Sequence, residues 1–228
     1  MYDEENDQFI RLPANNPDAP FAAEGKGWNM FRPMVSAIHC DSNGYLWIGT
    51  LSGGINRYDF KTGNVKHYSS SPADIYGLKS NNVFKIYEDS QGTIWISLFI
   101  SGITKVIPSR NRFHRFAEGS KHSSVLNNVI IRGLFEDSQG NIWIGGNDAE
   151  ILKYDPINDH LTDYTHNLPD DAREVNVFHE DSHGSIWLGL RGAGKLWVMH
   201  QGTDRFQKYV PEAETSIPWW DVLNIFQD

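Results

Sequence analysis

The stretch Asp41-Ser42-Asn43-Gly44-Tyr45-Leu46-Trp47 recurs three more times in this chain of 228 residues, with aspartate, serine, glycine and tryptophan at the same relative positions. The other copies are DSQGTIW at 89–95, DSQGNIW at 137–143 and DSHGSIW at 181–187. Successive tryptophans are 48, 48 and 44 residues apart, and a fifth aspartate is the last residue, 228. A period of about 45 residues indicates an array of similar structural units.

Each unit predicts four short β-strands. An apolar segment such as Val35–Cys40 leads into Asp-Ser-x-Gly, which has the chemistry of a tight turn, because aspartate accepts backbone hydrogen bonds and glycine supplies positive φ. The tryptophan segment that follows is continuously apolar, as expected of a strand covered on both faces. Two further segments, separated by polar turns such as 59–64, complete the unit.

Four short antiparallel strands per repeat, with glycine and aromatic marks, are typical of a β-propeller blade. We therefore predict an all-β propeller with four full four-stranded blades and a half-blade at each end. The full blades are 35–69, 83–117, 131–165 and 175–210, and the half-blades are 1–12 and 222–228. This pattern favours a fragment of a larger propeller of about seven blades. A self-contained five-bladed ring is the alternative.

The aspartate, glycine and tryptophan of each copy are predicted to be structural, because the turn needs the first two and the indole buries a large area between blades. Their positions are Asp41, Gly44, Trp47, Asp89, Gly92, Trp95, Asp137, Gly140, Trp143, Asp181, Gly184 and Trp187.

Composition narrows the function. The net charge of −9 with scattered basic residues argues against nucleic-acid binding, which needs clustered lysine and arginine. A single cysteine, Cys40, excludes a disulfide within the chain. The absence of an apolar run of about 18 residues predicts no membrane contact by this segment. No catalytic residue and no cofactor are predicted, so we expect no enzyme activity in this segment.

One motif suggests a metal. His179-Glu180-Asp181-Ser182-His183 matches the H-E-x-x-H pattern of zinc proteases. That chemistry needs a helix that brings both histidines to one side, whereas the repeat places His179 on a strand and His183 in the turn. We therefore predict no metal site here.

The strand order separates two rims. The loops between the second and third strands emerge on the same rim as the inter-blade loops, which range from 10 to 22 residues, whereas the Asp-Ser-x-Gly turns on the other rim barely vary. Loops that differ on a rigid scaffold favour recognition. The candidate ligand-binding residues of this rim are Trp28, Phe99, Asn147, Asp148, Glu150, Arg191, Trp219 and Trp220. Residues of the first strands that are expected to line the central channel at this end are Lys85, Arg132, Asn176 and Asn224. The alternative is that the candidate ligand-binding residues of this rim only pack against neighbouring loops or another domain.

The repeat V-x-x-I-x-x-D-S-x-G-x-I-W-I-G-T, followed by G-G-I-x-x-Y-D and nearly complete at Val35–Asp59, resembles the two-component regulator propeller repeat. The resemblance implies the periplasmic sensor region of a hybrid two-component system. In that family a membrane helix, a histidine kinase, a receiver and a DNA-binding domain follow. It further implies sensing of oligosaccharides, regulation of polysaccharide-utilisation genes, and contact with the rest of the propeller, with neighbouring sensor domains or with a second copy.

Two other functions compete with this interpretation. A lyase-type propeller enzyme would need a histidine and an acid clustered at the channel mouth, which the sequence does not show. A protein–protein interaction scaffold would use the same rim to bind a protein. Turnover of a bound sugar would identify the enzyme, and binding of polysaccharide digests separates the sensor from the scaffold.

Overall fold

The computed structural model describes residues 2–3, 8–9, 34–74, 77–107, 112–116, 129–147, 150–168, 174–191, 196–210 and 222–226. Within them the chain forms four antiparallel sheets of four strands each and one two-stranded hairpin. In every four-stranded sheet the strands follow one another in chain order, so each sheet is a meander.

Each sheet corresponds to one sequence repeat and is called a blade here. Blade 1 contains β3 (Met34–Cys40), β4 (Tyr45–Leu51), β5 (Ile55–Asp59) and β6 (Val65–Tyr68). Blade 2 contains β7 (Val83–Glu88), β8 (Ile94–Leu98), β9 (Gly102–Ile107) and β10 (Arg112–Arg115). Blade 3 contains β11 (Ile131–Glu136), β12 (Ile142–Gly146), β13 (Ile151–Asp155) and β14 (His160–Asp163). Blade 4 contains β15 (Val175–Glu180), β16 (Ile186–Leu190), β17 (Leu196–Met199) and β18 (Gln207–Lys208).

The blades pack side by side through their first strands. Strands β3, β7, β11 and β15 lie next to one another in succession, so the first strand of each blade is the innermost. The tryptophan strand comes second, and the third and fourth strands lie further out. Four meander sheets arranged in this way confirm the predicted all-β propeller architecture. One turn of 3-10 helix, Thr165–Asn167, follows blade 3.

The core lies between neighbouring blades. Trp47 and Trp143 are fully buried, and one cluster joins Trp47 and Ile55 of blade 1 to Val83 and other residues of blade 2. Blades 1 and 2 approach each other closely at Gly49, the glycine two residues after Trp47. A Cβ atom on Gly49 would lie 2.5 Å from Cγ1 of Val83 in the next blade. The motif therefore sets the spacing between blades as well as the shape of each one.

The Asp-Ser-x-Gly turn forms as predicted. In blade 1, Oδ1 of Asp41 accepts hydrogen bonds from two backbone N–H groups of the turn, at 3.0 and 2.8 Å. Gly44 has the positive φ of 81° that the turn requires. Oδ2 of Asp41 accepts a bond from Nε1 of Trp47 at 2.8 Å, and the same indole bond recurs in the other three blades. The sequence did not predict this second role of the aspartate.

A serine–glutamate link joins each blade to the next. The backbone N–H and the hydroxyl of Ser42 both donate to the carboxylate of Glu88, at 2.8 and 2.6 Å. The glutamate is the last residue of the first strand in the following blade. The two further links join Ser90 to Glu136 and Ser138 to Glu180.

The structure differs between the two segments predicted as half-blades at the ends of the chain. Strands β1 (Tyr2–Asp3) and β2 (Gln8–Phe9) form a hairpin in which Tyr2 pairs with Phe9, the register of Tyr58 and Val65 in blade 1. Of the segment 222–228, predicted as a first strand, residues 222–226 are described and have no strand pairing among the described residues. Val222 packs against Gly189 of blade 4. A strand needs a ladder partner, and the described second strands already pair within their own blades.

Candidate functional site

Pairing between the first two strands of each blade defines one rim, called the variable rim here. Met34 at the start of β3 pairs with Leu51 at the end of β4, and Val83 pairs with Leu98 in the same way. The turns between second and third strands and the inter-blade loops share this rim. The Asp-Ser-x-Gly turns lie on the opposite rim.

Every innermost strand has a β-bulge next to the variable rim. In blade 2, Val83 pairs with Leu98 and Lys85 with Ser97, which leaves Phe84 as the extra residue. The extra residues in the other blades are Ser36, Arg132 and Asn176. A bulge changes the direction of a side chain and is often found beside a functional site. The repeat alignment did not reveal it, because an inserted residue common to all copies leaves the repeat length unchanged.

An aromatic pair lies at this rim in blade 2. The rings of Phe84 and Phe99 are stacked, with centroids 5.9 Å apart and planes 30° apart. The guanidinium carbon of Arg132, from blade 3, lies 5.3 Å from the centroid of the Phe84 ring, which is the geometry of a cation–π contact. The contact connects the second blade to the third.

A carboxylate continues the connection to blade 4. Oε2 of Glu174 lies 3.0 Å from Nε of Arg132 and 3.1 Å from Nη1 of Arg191. The backbone N–H of Arg191 also donates to the carbonyl of Glu174 at 2.8 Å. Phe84, Phe99, Arg132, Glu174 and Arg191 therefore form one continuous group across three blades, called the rim cluster here.

Of the predicted ligand-binding residues, the structure brings Phe99 and Arg191 into the rim cluster. Asn147 accepts a hydrogen bond from the backbone N–H of Ile130 at 3.0 Å, and the carbonyl of Glu150 accepts one from Gly146 at 2.9 Å, so both contribute bonds to the loops of blade 3. The others lie outside the described residues and stay predictions: Trp28, Asp148, Trp219 and Trp220.

Two members of the rim cluster were missed by sequence reasoning. Phe84 was missed because its role depends on the bulge. Glu174 lies in the inter-blade loop directly before β15, outside the repeat. Its position in a loop of the variable rim was the one feature of the sequence that could have made it a candidate. Among the predicted channel residues, Arg132 joins the cluster, Lys85 and Asn176 lie on innermost strands, and Asn224 is exposed.

A cleft of about 640 Å³ lies on the opposite rim, between blades 3 and 4. Its walls include Ser138 and Glu180 of a serine–glutamate link, and Asp181 and His183 of the turn. Burial alone would raise the pKa of the Asp181 carboxyl, but hydrogen bonds from Trp187 and from the turn backbone outweigh it and hold that pKa below its usual value. The residues of this cleft are thus already used in holding the blades together.

The H-E-x-x-H residues are placed as expected. His179 lies on strand β15 and His183 in the following turn, so their spacing is not that of one helix face. Within the described ranges no group of three or more histidine, cysteine, aspartate or glutamate side chains could hold a metal ion. The same part of the chain contains no helix that is long and apolar enough to span a membrane.

Comparison with known proteins agrees with the repeat pattern. The family model described as the two component regulator propeller matches residues 31–52, 77–99 and 124–148. Each matched segment contains one Asp-Ser-x-Gly-x-x-Trp copy. No curated protein sequence matches the chain.

Solved structures share the fold. The extracellular domain assigned to the hybrid two component system BT4673 of B. thetaiotaomicron is 22% identical with a TM-score of 0.68, over 85% of this chain and 25% of that one. The extracellular domain of BT3049 of the same organism is 15% identical with a TM-score of 0.53, over 85% of this chain and 31% of that one. Virginiamycin B lyase from Staphylococcus aureus is 14% identical with a TM-score of 0.59, over 79% of this chain and 56% of that one. This chain thus spans about a quarter of the length of the first of these structures. Three of its four repeats thus match the two component regulator propeller model, and its meander blades have the β-propeller fold of these solved structures.

Proposed function

We propose that this segment is the ligand-sensing part of the periplasmic region of a hybrid two-component sensor kinase, and that its ligand is an oligosaccharide. The repeat family and the fold support the sensor role. The ligand class is supported by the rim cluster, and the proposal rests on this one observation.

The rim cluster has the two kinds of group that a saccharide site needs. The exposed ring of Phe99 offers an apolar face on which a sugar ring can stack. Around it, Arg191 and Glu174 offer donors and acceptors for sugar hydroxyls, and the Arg191 side chain is about half exposed. A few placed polar groups beside aromatic surface are typical of small-molecule sites.

The cluster also suggests how binding is transmitted. Its members come from blades 2, 3 and 4 and from the loop before blade 4, so a ligand contacting all of them favours one arrangement of the rim over others. A ligand shifts an equilibrium only by its differential affinity for two states. We propose that the two states differ in how this propeller meets a neighbouring domain or a second protomer, and that the output regulates polysaccharide-utilisation genes through the kinase.

Isothermal titration calorimetry of the 228-residue chain against digests of plant and host polysaccharides tests the proposal. Phe99→Ala removes the stacking face and is expected to weaken the bound oligosaccharide about tenfold, since an aromatic contact of this kind contributes of the order of 1 kcal/mol or more. Phe60→Ala is the control, because Phe60 is an exposed phenylalanine on the opposite rim. Equal affinities for both variants would remove the variable rim from recognition.

The same experiment separates the competing functions. Disappearance of the bound sugar over time would indicate a lyase-type enzyme in place of a sensor. Failure of every digest to bind, combined with capture of a defined protein partner through the variable rim, would indicate an interaction scaffold.

A further inference from the structure

The innermost strands of blades 2, 3 and 4 carry side-chain nitrogen atoms that form no hydrogen bond within the described part of the chain. Nδ2 of Asn176 and Nε of Arg132 are buried and form no hydrogen bond with the described residues. Lys85 has no hydrogen bond or ion pair within the same part of the chain. Strands β7, β11 and β15 adjoin one another in succession. Arg132 and Asn176 hold the bulge position of their strands, and Lys85 directly follows Phe84, which holds it in blade 2. Buried donors without acceptors cost free energy and are uncommon in folded proteins.

Lys85 is the most unusual of the three. Burial lowers the pKa of its amino group, and no carboxylate among the described residues offsets this effect. The chain carries 29 acidic residues against 20 basic ones, so an acidic neighbour would have been the common case. A lysine that is partly buried without a counter-charge destabilises the fold unless something else supplies the negative charge.

Arg132 is only partly satisfied by Glu174. Its Nε lies 3.0 Å from Oε2 of Glu174, but the N–H is not aligned with that oxygen, so the ion pair leaves this donor without a hydrogen bond. Its Nη2 lies 3.5 Å from Oε1, at the limit of a hydrogen bond. Glu174 therefore holds Arg132 in place while leaving the Nε–H of Arg132 without a hydrogen bond.

We propose that Lys85, Arg132 and Asn176 bind the anionic substituent, a carboxylate or a sulfate, of an acidic oligosaccharide. The inference deepens the proposed function and rests on it. Lys85, Arg132 and Arg191 supply three cationic side chains, and Glu174 supplies the carboxylate that pairs with both arginines, in a chain whose net charge is −9. Hydrogen bonds to an ionised acceptor are about twice as strong as neutral ones, so an anion satisfies these donors better than a sugar hydroxyl. The rings of Phe84 and Phe99 lie beside them for the sugar itself.

Lys85→Met tests the charge without any ligand. Methionine keeps the length of the side chain and removes the uncompensated ammonium, so the melting temperature of the free chain is expected to rise. Lys61→Met is the control, because Lys61 is exposed in a hairpin of the opposite rim. An unchanged or lower melting temperature for Lys85→Met would show that Lys85 is already compensated and would overturn the proposal.

Calorimetry with three probes tests the ligand class. The probes are oligogalacturonate, a chondroitin sulfate oligomer and a neutral galactose oligomer of similar length. We expect an acidic probe to bind, with an affinity that falls as sodium chloride is added, and to bind at least about tenfold more weakly to Lys85→Met. Lys61→Met is expected to bind as the original chain does. The uronate and sulfate probes distinguish the two sources of the anion.

The outcomes separate this inference from the proposed function. Binding of the neutral oligomer alone, or acidic binding that Lys85→Met leaves unchanged, overturns the anionic site and leaves oligosaccharide sensing intact. Failure of all acidic and neutral saccharides to bind counts against both.

Discussion

The repeated aspartate connects the turn of each blade to its buried tryptophan. One carboxylate closes the turn through Oδ1 and holds the buried indole through Oδ2, as in Asp181 with the backbone of Ser185 and Nε1 of Trp187. These bonds favour the ionised form, which is why the pKa of the Asp181 carboxyl is lowered despite the opposing effect of burial. The turn and the tryptophan strand are thus coupled through a single side chain.

Asp181→Asn is expected to lower the free energy of unfolding at pH 7 by about 1–3 kcal/mol, since one acceptor oxygen cannot serve both sets of donors. A carboxyl whose pKa is lowered by folding stabilises the fold above its unfolded pKa, and this stabilisation is lost as the pH falls through the folded pKa. The difference between the two chains should therefore narrow below about pH 4. Urea denaturation at a series of pH values measures it.

Asp59→Asn is the control for this comparison. Asp59 is a half-buried aspartate at a turn, and its carboxylate accepts bonds from Lys61 and Thr62 and from no indole among the described residues. Its substitution should have the smaller effect at pH 7. If Asp181→Asn is as stable as the original chain at neutral pH, the carboxylate does not couple the turn to the indole.

At the scale of the element, the first strand of the next blade limits which residues the tryptophan strand can carry. A Cβ atom on Gly145 would lie 2.7 Å from Cγ1 of Val175 and 2.8 Å from its carbonyl oxygen in the next blade. At the equivalent position of blade 2, Ser97 is fully buried and already fits. The glycine is therefore required by the approach of two blades in some places and not in others.

Gly145→Ala is expected to destabilise the chain by about 1–3 kcal/mol, because the added methyl group meets backbone as well as side-chain atoms. Ser97→Ala is the matched substitution, and it should leave stability unchanged or raise it, since the buried hydroxyl has no partner among the described residues. Chemical denaturation of both variants checks this. Equal losses would show that the blades do not approach more closely at blade 3.

The repeat predicted the elements better than their contacts. Sequence period and turn chemistry predicted the strands of four blades and the Asp-Ser-x-Gly turn. The alignment compares equivalent positions, however, and does not show which residues of different blades meet. The serine–glutamate links and the role of Glu174 depend on contacts of this kind, and the bulge at Phe84 depends on the pairing of two strands within one blade. The described part of the predicted strand 222–228, residues 222–226, forms no ladder, because the described second strands pair within their own blades.

At the scale of the whole molecule, the described blades are not equally covered. Ile38 of blade 1 is 66% exposed, whereas Ile86, Leu134 and Phe178 at the same repeat position are each 5% exposed. In blades 2, 3 and 4 the preceding blade covers this position. The first blade presents the same apolar surface to solvent within the described part of the chain.

The equivalent pair Ile38→Ala and Ile86→Ala measures what one neighbouring blade contributes. Ile86→Ala is expected to cost about 2–5 kcal/mol, as for other buried isoleucines. Ile38→Ala should stay within about 0.5 kcal/mol of the original chain, as for most surface positions. Thermal or urea unfolding of both variants gives the comparison. A large loss for Ile38→Ala would show that this face is covered in solution.

The serine–glutamate link has a consequence for how such a molecule can grow. Blades 2 and 3 each bring a serine donor at the turn and a glutamate acceptor at the end of the first strand, whereas the first strand of blade 1 ends in Cys40, and each bond runs from one unit to the next. Copying a single gene segment of this length therefore supplies both halves of a new junction at once. Length can change by whole modules, with no compensating substitution elsewhere, while the loops of each added copy are free to diverge.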